Sequence, residues 1–168
     1  MLLGEVLHRS VIQPNLAAQS PTAAIDELIG LLVRSGDLAP HQRDPVRRAV
    51  LAREEAGTSA MGDGVALPHG TTDRIKNIVG AMGISHTGID FHALDGQPVN
   101  IVVLLVVPRN EFHTYVRNLA GISHLLEDKS FREKLLSEHD PDEVLSLIRR
   151  EEHGPAFVGL MKRLGFRD

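Results

Sequence analysis

The run Ile101-Val-Val-Leu-Leu-Val-Val107 constrains the fold more than any other stretch of this chain. It is rich in β-branched residues, which favour extended backbone. It is continuously apolar rather than alternating, so a strand built from it has no face to give to water. Such a strand must lie in the middle of a sheet with helices packed above and below it. Pro108 ends the run by removing a ladder donor. The run is far too short to span a bilayer, which takes about 20 apolar residues.

The rest of the chain supplies those helices. Ser20-Pro21 reads as an N-cap with proline at the first helical position, Ile25, Leu28, Ile29 and Leu32 recur at helical spacing, and Gly36 closes the segment. Asp44-Pro45 repeats the start signal for a second helix reaching Gly57, with Arg53-Glu54-Glu55 in its last turn. Ile78–Ile84 reads as a second buried strand, followed by loop from Ser85 to Asp95 and a turn at Asp95-Gly96. After Pro108, the positions of Phe112, Tyr115, Val116, Leu119, Ile122 and Leu126 mark a long helix beginning between Asn110 and Thr114. Ser130-x-x-Glu133 reads as a capping box for a short helix, and Asp140-Pro141 starts another. Strands alternating with helices make the fold α/β, in a single domain over residues 1–154. A C-terminal amphipathic tail, 155–168, carries Phe157, Leu160, Met161 and Leu164 at helical spacing; folding back on the body and docking to a partner both fit it.

One further stretch stands apart, Met61-Gly-Asp-Gly-Val-Ala-Leu-Pro-His-Gly70. A glycine-loosened turn leads into the apolar run Val65–Leu67. Pro68 pushes Leu67 towards extended backbone, so the run stops where His69 begins. Gly70 lets backbone approach closely. The local pattern fits an imidazole delivered to a narrow edge for chemistry, and fits an ordinary strand-to-loop corner as well. Arg53, nearby in sequence, fits a bidentate phosphate contact or a solvated helix end.

Composition excludes several classes. A net charge of −4 and a pI near 6.1 argue against nucleic acid as a principal partner. Without cysteine there is neither a disulfide framework nor a thiolate metal site. The nine histidines include no His-x-His, His-x-x-x-His or HExxH, so no metal is expected. Residues 1–19 show no basic, strongly hydrophobic leader, and the expected location is cytoplasmic.

Taken together, Glu54, six intervening residues and Met61-Gly-x-x-Val-Ala-Leu-Pro-His69-Gly form a spaced pattern far more specific than any glycine motif alone. With Arg53-Glu54 before a threonine-containing loop, Gly88-Ile-Asp-Phe91, Leu94-Asp-Gly96 and the strand ending at Pro108, the chain resembles the enzyme IIA family of the bacterial phosphoenolpyruvate-dependent phosphotransferase system. The likeness is to its fructose/mannitol/nitrogen-regulatory class and covers roughly residues 3 to 150.

The resemblance implies a mixed β-sheet sandwiched between helices on both faces, the phosphotransferase/anion transport protein-like fold. It implies a phosphocarrier that accepts a phosphoryl group on His69 from the histidine phosphocarrier protein and passes it to a IIB domain or subunit for sugar uptake. The group comes ultimately from phosphoenolpyruvate, no cofactor is expected, and a membrane is met only through a permease. The alternative is a nitrogen-regulatory IIA that acts as a phosphorylation-dependent binding protein towards regulatory targets; a phosphatase with a histidine nucleophile is weaker, since no acid and water-activating pair stands out. Arg53 matches an arginine near the phosphorylated histidine. The family's second histidine, at the start of the helix after the central strand, falls on Tyr115. His113 lies two residues earlier, about 200° around a helix, and reaches the site only if Thr114 is the N-cap. A backbone carbonyl or a carboxylate, Asp73 being the candidate, is expected to hold the second imidazole nitrogen.

Overall fold

The computed structural model describes residues 2–166. Its strands are β1 (Ile12–Gln13), β2 (Ala60–Gly62), β3 (Val65–Ala66), β4 (His69–Thr72), β5 (Val79–Ile89) and β6 (Val99–Pro108). Its helices are α1 (Leu3–Val6), α2 (Pro21–Arg34), α3 (Arg43–Ala56), α4 (Phe112–Glu127), α5 (Lys129–Leu136), α6 (Pro141–Glu152) and α7 (Pro155–Arg163).

The apolar run becomes β6, the hub of the sheet, and Ile101–Val107 are all buried. The order is β1-β5-β6-β3-β2, with β4 also on β6. β5 pairs antiparallel to β6, whereas β3 and β4 follow one another along its other edge in parallel. The sheet is therefore mixed. Helices α2 and α3 pack together over β4, β5 and β6, while α4, α5 and α6 form a chain of neighbours that α1 and α7 extend. Each Val or Leu buried in this way contributes about 1.5–3 kcal/mol relative to exposure.

Most helix signals are realised. The Ser20 hydroxyl accepts from the Ala23 N–H at 3.1 Å, and Asp140 accepts from the Asp142 N–H at 2.8 Å. Three expectations change. The α5 cap is Asp128, which accepts from the Phe131 N–H at 2.8 Å, so the Ser130/Glu133 box is not the start. The segment from Ser85 to Ile89 is strand rather than loop. A bulge between Ile84 and Ile89 lets β5 resume pairing at Val99, and the exposed His86 and Thr87 break the apolar pattern that would have signalled it. Thr71-Thr72, whose polar sequence with Asp73 reads as loop, likewise is strand, because β6 continues beside it as a template.

The short α1 is held at its N-terminal end by α6. Glu152 accepts from the N–H groups of Leu3 (2.7 Å) and Gly4 (2.8 Å), and Arg149 Nε donates to the Gly4 carbonyl (3.2 Å). Burial pushes the Glu152 carboxyl above its ordinary value, against the two backbone N–H bonds that favour its ionised form. A raised folded-state value means that this group's contribution is complete below the unfolded value of 4.5 and is lost as pH rises through the folded value. In urea titrations at a series of pH values, wild-type stability relative to Glu152→Gln is expected to fall over that window; a pH-independent difference contradicts this.

Helix α7 packs against α4, with Phe157 buried and Met161 Sδ standing 3.1 Å from where a Gly121 side chain would begin. No helix among the described residues is long and apolar enough to cross a membrane.

Candidate functional site

The Met61–Gly70 stretch runs from the end of β2 through β3 into the start of β4. Gly62, Asp63 and Gly64 all take positive φ, making the tight turn from β2 into β3. Asp95 braces this turn by accepting from the Asp63 N–H at 2.9 Å. That contact and one from the Gln97 N–H hold its carboxyl below the usual range. The Asp95-Gly96 turn and the glycine turn, distant in sequence, thus meet.

At Leu67-Pro68 the chain breaks step but stays tied on both sides. The Leu67 N–H donates to the Ser59 carbonyl (3.1 Å) and the Leu105 N–H donates to the Pro68 carbonyl (3.0 Å). Ser59 is itself set by Glu54, whose carboxylate accepts from its N–H at 3.2 Å. The fixed Leu67 carbonyl receives His69 Nδ1 at 2.9 Å. A carbonyl only accepts, so Nδ1 carries the proton in the neutral ring and the Nε2 lone pair is left free. His69 is half-buried, while Pro68 and Gly70 on either side are buried.

Helix α3 lies directly on β4. A Cβ built on Gly70 would stand 3.0 Å from Val50 Cγ2 and the Val50 backbone nitrogen. That close approach sets the level of the helix, whose last turn carries Arg53. Arg53 is exposed and donates from Nη1 to the Gly57 carbonyl at 2.8 Å.

Tyr115, in the first turns of α4, completes the cluster. Its ring lies 5.7 Å from the His69 ring between centroids, tilted by 47°. It is 1% exposed, and no described group makes a hydrogen bond to its hydroxyl. Burial raises its ionisation far above the ordinary phenol value, and only the Arg53 charge draws it the other way. The hydroxyl is a neutral donor throughout the physiological range.

The structure brings the His69 and Tyr115 rings together and sets Arg53 in the last turn of the helix packed on β4, while His113 stays outside this group. Helix α4 begins at Phe112 with Glu111 in the cap position, so Thr114 is not the N-cap and His113 lies inside the first turn. Its side chain is exposed against Phe112, at 6.4 Å between ring centroids. Asp73 does not orient His69. It pairs with Arg109 at 3.5 Å on the surface, and the Leu67 carbonyl takes the orienting role. No side-chain pattern could have shown that carbonyl; the signal was the proline that breaks the strand before the histidine. Among the described residues no group of three or more His, Asp or Glu is placed to hold a metal ion.

The fold is that of phosphotransferase IIA proteins. The crystal structure of the nitrogen regulatory protein IIA-Ntr from Neisseria meningitidis superposes with a TM-score of 0.78 at 30% identity, over 87% of this chain and 98% of that one. Residues 5–151 match the family described as Phosphoenolpyruvate-dependent sugar phosphotransferase system, EIIA 2, and the chain belongs to that family. The nitrogen regulatory protein of Bradyrhizobium diazoefficiens is 32% identical over 88% of this chain and 95% of its own length. The fructose-specific EIIABC component of Bacillus subtilis is 29% identical over 90% of this chain, which spans only 24% of that longer protein.

Proposed function

We propose that this protein is a phosphocarrier that accepts a phosphoryl group on Nε2 of His69 from the histidine phosphocarrier protein and passes it to a IIB component. The observation that carries the reading is the bond from Nδ1 to the Leu67 carbonyl, which leaves one specific nitrogen free to attack. As Nε2 bonds to phosphorus, the N–P bond of the donor's phosphohistidine breaks and the donor imidazole leaves with the electron pair. Positive charge developing on the His69 ring is stabilised at Nδ1–H by the Leu67 carbonyl. The same polarised ring is then a good leaving group towards the acceptor. Phosphoryl transfer asks the protein mainly for positioning and charge stabilisation.

Arg53 supplies the charge. Its fork has donors beyond the one given to Gly57, and its field is felt at Tyr115. Arg53→Gln is expected to slow initial label uptake about ten- to a hundredfold, with Arg53→Lys intermediate; a wild-type rate for Arg53→Gln removes it from the mechanism. Phe112 and Val116 leave apolar surface exposed beside Tyr115, which suits protein rather than small-molecule donors and acceptors.

The test is incubation with phosphoenolpyruvate, enzyme I and the phosphocarrier, scoring acid-labile label on the protein and its onward passage to a IIB component. Absence of label in the wild type rejects the reading. A second reading, phosphorylation-dependent regulatory binding, is favoured by the likeness to the two nitrogen regulatory proteins at 32% and 30% identity. It predicts label on His69 that no sugar-system IIB removes.

A further inference from the structure

Burying a charge is costly unless an opposite charge meets it. Glu152 is the one charged side chain among the described residues that is buried, at 3% exposed. Its oxygens accept from the Leu3 and Gly4 N–H groups, which leaves about half of a carboxylate's lone-pair sites unused. No Lys or Arg among the described residues forms an ion pair with it, and neighbouring Arg149 gives its Nε to the Gly4 carbonyl. Desolvation pushes its carboxyl up and Glu5 adds to that push, against the two N–H bonds and His153. Capping the single turn of α1 calls for acceptors, not for a buried charge, so the charge itself is unaccounted for.

The same residue lines a cavity of about 420 Å³ between α1, α4, α6 and α7, within the size range of small-molecule sites. Ile122, Phe157, Val158 and Met161 give it apolar wall. Phe166 adds an aromatic ring, with Arg117 standing over it at 5.7 Å. Glu5, His153 and Lys162 also line the cavity but are exposed, so water answers their charges. We infer that this cavity binds a protonated amine carried on an apolar body, the ammonium meeting the Glu152 carboxylate and the body filling the space between α4 and α7. An ammonium supplies donors of the sign that the spare lone pairs lack, in a poorly solvated place where a charge-assisted hydrogen bond is strong. An anion would face the buried carboxylate at low dielectric, and a neutral apolar molecule would leave its charge unanswered. Helix α7 lies beyond the residues 5–151 that match the family, and the inference does not rest on the carrier reading.

The test is isothermal titration of the full, unphosphorylated chain with hexylamine, hexanol and hexanoate, three probes of one length that differ in head group. At mildly alkaline pH hexylamine is expected to bind one to one with a Kd of about 1 mM or below. Hexanol is expected to bind about tenfold or more weakly, and hexanoate not at all. Glu152→Gln is expected to weaken hexylamine about tenfold or more while leaving hexanol unchanged, a selective loss that general loosening of α1 would not produce. Val158→Trp leaves Glu152 in place and fills the cavity, and it is expected to bind neither probe. Its single tryptophan, in a chain that has none, reports whether the region is folded. No binding of hexylamine to the wild type overturns the inference, as does equal affinity for hexylamine and hexanoate. Wild-type affinity for hexylamine in Glu152→Gln, or in folded Val158→Trp, overturns it as well.

Discussion

His69→Ala is expected to take up no acid-labile phosphoryl label from the phosphocarrier, under conditions in which the wild-type protein labels to near one group per chain. The loss is complete rather than graded because the substitution removes the nucleophile itself. His113, the other histidine weighed for the site, is an exposed residue of α4 beside Phe112. His8 is engaged with Asp37 at 2.9 Å and His153 Nδ1 with the Arg149 carbonyl at 2.6 Å. The fold should survive, since His69 is half-buried and its side-chain hydrogen bond is local. Unchanged circular dichroism and a melting temperature within a few degrees of wild type would establish that. Normal labelling of His69→Ala would move the acceptor elsewhere and remove the central assignment.

Gly70→Val is expected to have the largest effect on both stability and transfer among changes that leave every charged and nucleophilic side chain in place. A Cβ at this position would meet Val50 Cγ2 and the Val50 backbone nitrogen at 3.0 Å and the Ala49 carbonyl carbon at 3.1 Å. Helix backbone cannot rotate aside as a side chain can, so α3 must lift from β4. Overpacking of this kind costs about 1–3 kcal/mol, a fall of roughly 2–12 °C in melting temperature for a domain of this size. Lifting α3 also moves its last turn, where Arg53 sits, away from His69. A displacement of about 1 Å at a phosphoryl-transfer site slows transfer by up to about a hundredfold. Gly57→Ala is the matched control. Its backbone is extended and a Cβ there meets nothing within 4 Å, so stability should hold within about 0.5 kcal/mol. Equal behaviour of the two variants would show that the close approach of α3 to β4 is not what sets the site.

Much of this protein was legible before any fold was known. The strand Ile101–Val107, the helix caps at Ser20 and Asp140 and the helix beginning between Asn110 and Thr114 follow from local patterns, because each depends on residues a few positions apart. The strands at Ser85–Ile89 and Thr71-Thr72 were not legible, since their pairing is dictated by β6, which lies far along the chain, rather than by their own polar sequences. The cap of α5 shifted to Asp128 for a similar reason: where α4 ends decides which acidic side chain is free to cap.

The site divides along the same line. Sequence by itself determined that a histidine follows a strand-ending proline and precedes a glycine, with an arginine sixteen positions earlier at the end of a helix. These are chemical identities and spacings along one chain. Only the tertiary structure decided which nitrogen of His69 is free, because that depends on the Leu67 carbonyl held between Ser59 and β6. Only the tertiary structure excluded Asp73 as the orienting group, by pairing it with Arg109, and left His113 outside the cluster, by starting α4 at Phe112. It also placed the buried Tyr115 ring beside the imidazole. Hydrogen-bond direction and burial are properties of packed neighbours, and packing joins residues that no local pattern connects.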